Sequence, residues 1–509
     1  MSFGPPPSPS QYTQSTLAVG ARKRRRTVLV LGVVLALTAT LFAGGWALWS
    51  LTGGEDSAQA AAAQQPPDAI RETVETVPKT PEGELAVGWT EELKEGRTAS
   101  TKGTWVSGSI AAKSFADVIR GMEIGTAEQK WETRFAGPLC AVTRHVSVDG
   151  RTAVAVPGKR PAKSGRAKGK SGRAKGKKDP QPRTPCDRLA VVDIDTGKKL
   201  WEKPLPAEGG GSTDVNVTMT RGTVVATWGR GSAAYDMTTG KRLWSDVKVR
   251  SCTDVGFAGG RGLLALQTCG DSADPRFRVQ KVSPRTGKTE WTYRVAEGIN
   301  SVYLASSEPP VIAVSTGEEG TIEYLHSLDD RGRHRATITL TDRRYVHNCD
   351  ETFSAEVERC SGVVVGRRQL YVATEPRDMF EAGLSKKKPN EIVAFDLRTG
   401  KAVRTFDAKP DRPMYPVRMS GDKVIAYRES AGTALSSMVR LDPVTGKERL
   451  LLILPDSSDR PSMDMFADDF DIVYERGTVV FGKKEAQRQT GEQDEGPKVS
   501  LMDGYRSSG

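Results

Sequence analysis

Short apolar stretches recur between residues 84 and 506, and in many of them apolar and polar positions alternate. Examples are the stretches at 189–194 and 391–395. Such stretches predict β-strands, because successive side chains of a strand point to opposite faces of its sheet. A polar turn and a second apolar stretch follow each of them. The pattern therefore predicts an all-β domain built from hairpins.

The turns repeat one phrase at a spacing of about 45 residues, which is typical of a propeller or a solenoid. The phrase reads Asp-Ile-Asp-Thr-Gly-Lys-Lys-Leu-Trp at 193–201 and returns at 236–244, 283–291, 396–401 and 442–447. Its glycines, which can supply the positive φ of a tight turn, are Gly197, Gly240, Gly287, Gly400 and Gly446. Trp201, Trp244 and Trp291 follow in the next strand, where a large ring can pack against the neighbouring unit.

Degenerate copies and the chain ends extend the count. Residues 123–131 keep the Thr and Trp131 but carry Ala127 in place of Gly, and residues 328–334 keep only an Asp-to-Gly turn. Near the C-terminus, residues 499–503 stop where a turn should follow. The stretch around Trp89 resembles the strand that comes after such a turn. We therefore expect the N-terminal strand to complete the last sheet of an eight-bladed β-propeller, with seven blades as the alternative.

The phrase resembles the pyrroloquinoline-quinone-like propeller repeat, Asp-x-x-Thr-Gly-Lys-x-x-Trp, over residues 84–506. That resemblance implies the propeller fold. The family includes quinoprotein dehydrogenases and also scaffolds, such as the propeller lipoprotein of the outer-membrane assembly machinery. Dehydrogenases that hold the quinone typically have two adjacent cysteines, and no two cysteines are adjacent here. No motif identifies their catalytic Asp or their calcium ligands either. We therefore predict no enzyme, no cofactor and no catalytic residues, with a quinoprotein-like oxidoreductase as the alternative.

The segment before the repeats predicts a membrane anchor. Residues 1–26 are rich in Pro, Ser and Gln and end in a basic cluster at 22–26. Residues 27–49 carry no charge over a length that can span a bilayer as a helix. The basic cluster predicts a cytoplasmic N-terminus and an extracellular propeller. Residues 50–83, rich in Ala, Gln and Pro, predict a linker. A signal peptide cleaved near Ala60 is the alternative.

Six cysteines follow the apolar segment, which suits an oxidising compartment. Nearest-neighbour pairing predicts the disulfides Cys140–Cys186, Cys252–Cys269 and Cys349–Cys360, although six cysteines allow fifteen connectivities. A metal site is the alternative, but the chain has no CxxC and no His at ligand spacing. We interpret His145 as a packed or edge residue of a strand rather than as a catalytic base.

The net charge of +11 is concentrated in two short segments. Inside an insertion at 157–185, ten basic residues occur without an acid: Lys159, Arg160, Lys163, Arg166, Lys168, Lys170, Arg173, Lys175, Lys177 and Lys178. Without these ten and the cluster at 22–26, the rest of the chain has a net charge of −4. The insertion is either a tolerated polar loop or a contact for a polyanion outside the membrane. Since no aromatic residues are interleaved, we expect no nucleic acid as a partner.

These features together predict a single-pass membrane protein of the bacterial cell envelope. Its extracytoplasmic propeller would be a non-catalytic binding or scaffold module. The expected partner is an envelope protein or an anionic cell-wall polymer.

Overall fold

The structure is a computed structural model. It describes residues 65–93, 98–158, 185–207, 214–247, 252–270, 275–317, 321–341, 345–349, 356–381, 384–388, 390–408, 412–430, 434–455, 470–487 and 498–507. Residues 66–509 form one compact unit. Within the described ranges, no helix is long and apolar enough to cross a membrane. The predicted anchor at 27–49 and the basic residues 159–178 lie outside those ranges.

The first half of the described chain forms four blades after two leading strands. The leading strands are β1 (Gly83–Glu92) and β2 (Thr98–Ser100). Blade 1 contains β3 (Thr104–Val106), β4 (Ile110–Phe115), β5 (Val118–Glu123) and β6 (Gln129–Arg134). Blade 2 contains β7 (Ala141–Val142), β8 (Arg151–Pro157), β9 (Cys186–Asp193) and β10 (Lys199–Pro204). Blade 3 contains β11 (Val215–Thr220), β12 (Thr223–Trp228), β13 (Gly231–Asp236) and β14 (Arg242–Val247). Blade 4 contains β15 (Cys252–Ala258), β16 (Leu264–Cys269), β17 (Arg276–Val282) and β18 (Thr289–Arg294).

The second half forms four more blades. Blade 5 contains β19 (Ser301–Ser307), β20 (Pro310–Ser315), β21 (Tyr324–Leu328) and β22 (His334–Thr339). Blade 6 has an interrupted first strand, β23 (Tyr345–Val346) and β24 (Val363–Val365), then β25 (Gln369–Thr374), a small hairpin of β26 (Arg377–Glu381) and β27 (Leu384–Lys388), β28 (Glu391–Asp396) and β29 (Ala402–Asp407). Blade 7 contains β30 (Met414–Ser420), β31 (Lys423–Arg428), β32 (Ser437–Leu441) and β33 (Glu448–Ile453). The remaining strands are β34 (Phe470–Glu475), β35 (Thr478–Lys483), β36 (Glu485–Gln487) and β37 (Lys498–Ser507).

Blade 8 combines both ends of the domain and closes the ring. Its order is β34, β35, β37 and β1, so the N-terminal strand is the outermost one. β1 pairs antiparallel with β37, and Trp89 lies opposite Met502. The ring is therefore eight-bladed, as the sequence predicted, and the seven-bladed alternative is wrong. The N-terminal strand thus completes the four-stranded sheet of blade 8 and joins the two ends of the domain.

Every blade has the same up-and-down course, which gives the ring two distinct faces. The turns between first and second strands and between third and fourth strands lie on one face, here called the turn face. For example, the Ile194 N–H of one turn donates to the Gly150 oxygen of the other at 2.8 Å. The connections between second and third strands and between successive blades lie on the opposite face, here called the insertion face. The hairpin β26–β27, the strand β36 and the insertion between β8 and β9 all leave from the insertion face.

The core lies between neighbouring blades, and the repeated phrase supplies much of it. Trp201 of blade 2 is buried, and its Nε1 donates to the Met237 oxygen in the turn of blade 3 at 2.8 Å. A Cβ at Gly240, where φ is +65°, would lie 2.8 Å from the Trp201 ring. The phrase therefore needs Gly for its turn conformation and also for the close approach of the ring. In blade 6, Arg404 stands at the Trp position and donates to the Pro443 oxygen of blade 7 at 2.8 Å.

Candidate functional site

A segment of blade 6 crosses the axis of the ring. The first strand of this blade is interrupted between Val346 and Val363, and a disulfide joins Cys349 to Cys360 at the base of the interruption. Its described part, residues 356–360, is here called the channel segment. Its partners belong to blades 1 to 5, as the following contacts show. Because the innermost strands of different blades face one another only at the centre of a propeller, the channel segment lies on the central axis.

Glu358 connects the channel segment to three blades. Its Oε2 accepts hydrogen bonds from the Thr218 hydroxyl of blade 3 at 2.9 Å and from the Gly259 N–H of blade 4 at 2.9 Å. The His145 Nε2 of blade 2 lies 3.3 Å from the same oxygen. Burial alone would raise the pKa of this carboxyl. The charges of His145 and Arg144 and these hydrogen bonds outweigh burial, so that the Glu358 pKa is lowered.

Other residues of the channel segment contact blades 1 and 5. The Leu304 N–H donates to the Val357 oxygen at 2.7 Å. Lys102 Nζ lies 2.9 Å from Glu356 Oε1, and Arg359 donates to Glu356 Oε2 at 3.0 Å. The channel segment is thus held by main-chain bonds as well as by charged pairs. An arrangement of this kind fixes acidic and basic groups at the axis, where they are shielded from solvent.

Lys113 of blade 1 is a fully buried amine near this cluster. It donates to the main-chain oxygens of Thr101 and Gly103. Burial lowers its pKa to about 8, and the positive charge of Arg359 acts in the same direction, while Asp471 opposes it. Buried titratable groups with displaced pKa values are common at functional sites, which makes the axis the candidate site of this molecule.

A second segment covers the axis on the turn face. Residues 66–82, here called the strap, precede β1 and contact blades on opposite sides of the ring. The Gly222 N–H of blade 3 donates to the Asp68 oxygen at 2.9 Å, and the Arg71 N–H donates to the Val146 oxygen of blade 2 at 2.9 Å. Further along, the Arg71 guanidinium lies 3.5 Å from Glu475 of blade 8. The strap therefore passes over the axis from blades 2 and 3 towards blades 7 and 8.

The strap is held most firmly at Glu75, which is 4% exposed. Its two carboxylate oxygens accept hydrogen bonds from the Arg476 N–H at 2.8 Å and the Gly477 N–H at 3.0 Å. The Arg418 guanidinium pairs with the same carboxylate, and the Ser420 hydroxyl accepts from the Glu75 N–H at 2.8 Å. Here the structure adds to the sequence analysis, which assigned residues 50–83 to a linker. The part from 66 to 82 is bound to the propeller.

The residues singled out in the sequence are distributed around the ring and are not gathered at the axis. The rings of Trp131, Trp201, Trp244 and Trp291 pack against the turn glycines of the next blade, which are Gly197, Gly240, Gly287 and Gly332. Gly400 and Gly446 lie against Thr337 and Arg404 of the preceding blades. Trp89 is buried in the closure of blade 8.

The disulfide prediction is confirmed. The bonds are Cys140–Cys186, Cys252–Cys269 and Cys349–Cys360, with Cα–Cα distances of 6.2, 4.0 and 3.9 Å. Only the third lies at the axis. His145 was expected in a strand, but it lies in the loop between β7 and β8, where that loop reaches the axis.

Sequence reasoning missed Glu358, Lys113 and Glu75. The partners of Glu358 and Glu75 are far away along the chain, and no local spacing predicts them. Lys113 bonds to main-chain oxygens only, and no sequence motif marks these. For Glu358 a signal existed, because two cysteines only eleven residues apart enclose it and so constrain its loop. Glu75 lies in a segment whose composition resembles a linker, and the sequence offers no signal for its docking.

Comparison with known proteins identifies the repeat. A family model described as the outer membrane protein assembly factor BamB matches residues 183–406, which is less than half of the chain. No curated protein matches the sequence. Similar solved structures include the quinohemoprotein alcohol dehydrogenase ADHIIG from Pseudomonas putida HK5, which is 12% identical with a TM-score of 0.43 over 86% of this chain and 78% of that chain. A europium-containing methanol dehydrogenase is 13% identical with a TM-score of 0.36, over 72% of this chain and 80% of that chain. The β-propeller domain of Cps50 (Swd1) from Myceliophteria thermophila is 12% identical with a TM-score of 0.36, over 67% of this chain and 96% of that chain.

These findings correct one prediction. The prediction that the chain is not an enzyme is wrong, because proteins similar in structure include two dehydrogenases. At 12% and 13% identity the likeness shows the fold alone. An enzymatic function is therefore no longer excluded, but no reaction is assigned to the chain.

The quinone of such dehydrogenases can be tested against the residues at the axis. The resemblance to quinoprotein dehydrogenases implies a metal ion beside the quinone, and a hard cation needs several converging oxygen ligands. Among the described residues, no three His, Cys, Asp or Glu side chains converge in a way that could hold a metal ion. The channel segment also occupies the axis, and its Glu358 is engaged by three blades. The described residues do not form a site of that kind, and we derive no step through the quinone.

The fold itself is established by three observations. The phrase repeats along the chain, each copy forms the outer hairpin of a blade, and eight such blades close into a ring. The family model covers four of these blades in whole or in large part. The chain is therefore a pyrroloquinoline-quinone-like β-propeller repeat protein.

Proposed function

We propose that this chain is a membrane-tethered, extracytoplasmic propeller of the cell envelope that binds its partner through the insertion face. One observation carries the proposal: the strap covers the turn face, whereas the longest connections leave from the opposite face. These connections span 158–185, 375–390, 454–469 and 484–497. Loops placed on a rigid scaffold are the usual carriers of binding function.

Two further observations support this proposal. Three disulfides suit an oxidising compartment, which agrees with a propeller outside the cytoplasm. The matching family model is described as an outer membrane protein assembly factor, which is a role in a cell envelope. The basic residues 159–178 belong to the connection between β8 and β9, so an anionic cell-wall polymer is the first candidate partner.

Sedimentation with isolated cell wall tests the basic connection. In the test variant, the ten basic residues at 159–178 are replaced by Gln at unchanged length, and the matched control replaces Lys386, Lys387 and Lys388 in the same way. We expect the first variant to lose most of its binding at low salt and the control to keep it. The difference should shrink above physiological salt, as the Debye length falls below about 8 Å. Equal sedimentation of the test variant and the unaltered chain would reject a polyanion as the partner.

Photocrosslinking tests the choice of face. A photoreactive residue at Glu297, on the insertion face, is compared with one at Val444, an exposed residue of the turn face. In intact membranes we expect partner adducts from position 297 and none from position 444. Adducts from position 444 alone would place the partner on the other face and contradict the proposal.

A second candidate is an oxidoreductase that uses the buried cluster at the axis. The observation in its favour is the concentration of buried titratable groups there, with lowered pKa values at Glu358 and Lys113. Titration of the chain with the quinone and calcium, followed by absorbance, decides this candidate. A saturable spectral change that Glu358→Gln abolishes would establish a quinone site, whereas no change at quinone excess would remove the quinoprotein version.

A further inference from the structure

We propose that the turn face is a receptor for an extended acidic peptide, and that the strap is the chain's own occupant of this receptor. A peptide of similar chemistry from a partner protein can replace it. This inference goes beyond the proposed function, which concerns the opposite face.

The receptor contains a carboxylate site made mostly by main-chain groups. Arg476 and Gly477, in the turn between β34 and β35, have φ values of +50° and +74°. A positive φ is costly for a residue with a side chain, and such conformations concentrate where a ligand is held. The two successive N–H groups of this turn both point to the Glu75 carboxylate, which is the geometry of an anion nest. The Arg418 guanidinium adds a full positive charge.

Several other contacts of the strap are made to its peptide backbone and not to particular side chains. The Val148 N–H donates to the Ala69 oxygen at 2.9 Å. The guanidinium groups of Arg418 and Arg440 donate to the Thr73 and Glu75 oxygens at 2.8 and 3.0 Å. Any extended peptide offers these oxygens, whereas a polysaccharide or a polyphosphate does not. This pattern is therefore that of peptide recognition along a sheet or loop edge.

The charges of the strap define the sequence that fits. Acidic residues stand at 68, 72 and 75, and each faces an arginine of the propeller. Asp68 lies 3.7 Å from Arg221, and Glu72 lies 2.5 Å from Arg261. Without the strap, the turn face would present these arginines together with Arg418, Arg440 and the Arg476–Gly477 turn. Between these carboxylates, Arg71 of the strap lies 3.5 Å from Glu475 of blade 8. The fitting partner is therefore a peptide with carboxylates at the spacing i, i+4 and i+7 and a basic residue at i+3.

Some contacts of the strap outside the Glu75 site are exposed, which makes exchange feasible there. Ile70, by contrast, packs against the core, and the Arg71 side chain is only 10% exposed. The side chains of the Asp68–Arg221 pair are 40% and 68% exposed, and exposed pairs of this kind contribute little to stability. Val74 is 64% exposed and contributes little apolar burial. Segments with few buried contacts open locally at a small fraction of the global unfolding free energy. Since the strap is covalently attached, a free peptide competes with an effective concentration on the order of millimolar.

Fluorescence polarisation tests this inference. The probe is a fluorescein-labelled peptide with the sequence of residues 66–77, added to the full chain and to the double variant Asp68→Asn/Glu75→Gln. The control probe is the same peptide with Glu75→Gln. We expect the acidic probe to bind the double variant at least tenfold more tightly than the unaltered chain, because its strap competes less. We also expect the control probe to bind the double variant at least tenfold more weakly than the acidic probe.

Three outcomes would overturn the proposal. They are no binding of the acidic probe to either chain at millimolar concentration, equal binding of the acidic and the control probe, and equal binding of the acidic probe to both chains. Hydrogen–deuterium exchange keeps the test valid if the double variant fails to fold. In the unaltered chain, an excess of the acidic peptide should raise exchange at residues 66–77, and the control peptide should not. Because this test does not involve the insertion face, its failure would leave the proposed function untouched.

Discussion

At the scale of single residues, Glu358 shows how a carboxylate that is only 13% exposed remains charged on the axis of a propeller. Burial disfavours the charge, but an N–H, a hydroxyl and a histidine from three blades all contact the same carboxylate oxygen. Its lowered pKa means that the folded chain stabilises the carboxylate form. The same residue therefore links the channel segment to the ring and makes that link sensitive to acid.

Glu358→Gln should remove this sensitivity. In the unaltered chain, the stabilisation by Glu358 is complete above the pKa of an unfolded Glu, about 4.3, and is lost as the pH falls through the lower folded pKa. At pH 6 we expect the variant to be less stable by about 1.5–3 kcal/mol, the range for hydrogen bonds to a charged group. Melting temperatures of both chains between pH 3 and pH 6 check this. A gap that stays constant below pH 4 would contradict the role given to the charge.

The position of the repeated Trp gives a second prediction for single residues. Trp201 packs on the turn of the next blade, whereas Arg404 reaches the equivalent turn through hydrogen bonds to the Pro443 and Val444 oxygens. Trp201→Ala should lower the free energy of unfolding by about 3–5 kcal/mol, because it leaves a cavity. Arg404→Ala should cost about 1–2 kcal/mol, because it removes hydrogen bonds but little buried volume. Urea unfolding of the two variants measures both values, and a larger loss for Arg404→Ala would refute this division of roles.

At the scale of elements, the strands of a blade differ in how clearly the sequence predicts them. The outermost strands alternate between buried and exposed positions, as β6 does, and could be predicted from alternation. Second strands such as β12 are buried along their whole length, because neighbouring blades cover both faces, and they read as continuous apolar runs. A continuous apolar run does not by itself identify a strand. The repeated turn phrase identifies these runs as strands, because it marks the hairpin after each buried pair of strands.

The channel segment and the strap could not be predicted in the same way, because neither has a period. The contacts of Glu358 join residues 213, 140 and 99 positions apart, and those of Glu75 with Arg476 and Gly477 span 401 and 402 positions. Such contacts arise only after the ring has formed and has placed the blades opposite one another. The candidate site is therefore a product of closure and not of any local pattern.

The disulfide at the base of the channel segment gives a prediction for this element. Replacing Cys349 and Cys360 with Ser should lower stability by about 2–3 kcal/mol, as expected for a short closed loop. Trypsin should then cleave after Arg359 faster, because the segment opens more often. The control is the pair Cys140→Ser and Cys186→Ser, which lies at the opposite side of the ring. Unchanged cleavage after Arg359 in the first variant would show that the contacts of Glu358 suffice to hold the segment.

At the scale of the whole molecule, stability depends on the joint between the two ends of the chain. Val87 and Trp89 of β1 are buried among residues of blades 8 and 1. Strand β1 also supplies the outer hydrogen-bonding partner of β37. Removing β1 exposes apolar area and an unpaired edge at once, and both promote aggregation.

Deleting residues 84–96 should therefore cause aggregation or a large fall in melting temperature. The loss of Val87 and Trp89 alone removes about 1.5–3 kcal/mol for each buried side chain. The matched control deletes residues 159–178, which should leave melting nearly unchanged, because the length of a loop affects stability only weakly. Differential scanning calorimetry and light scattering measure both effects. A monomeric 84–96 deletion with unchanged melting would disprove the importance of the joint.

The pairing of β1 with β37 also determines when blade 8 can form during synthesis. Roughly 400 residues separate the two strands, and at synthesis rates of about 5–20 residues per second their completion lies about 20–80 s apart. During that interval Ala86, Val87 and Trp89 lack their partners in blade 8, although most of the other blades are already complete. The first strand of the propeller to be synthesised is thus the last to pair. A chain interrupted shortly before Lys498 would keep an apolar, unpaired strand at its N-terminal end and would be a natural substrate for chaperones and proteases.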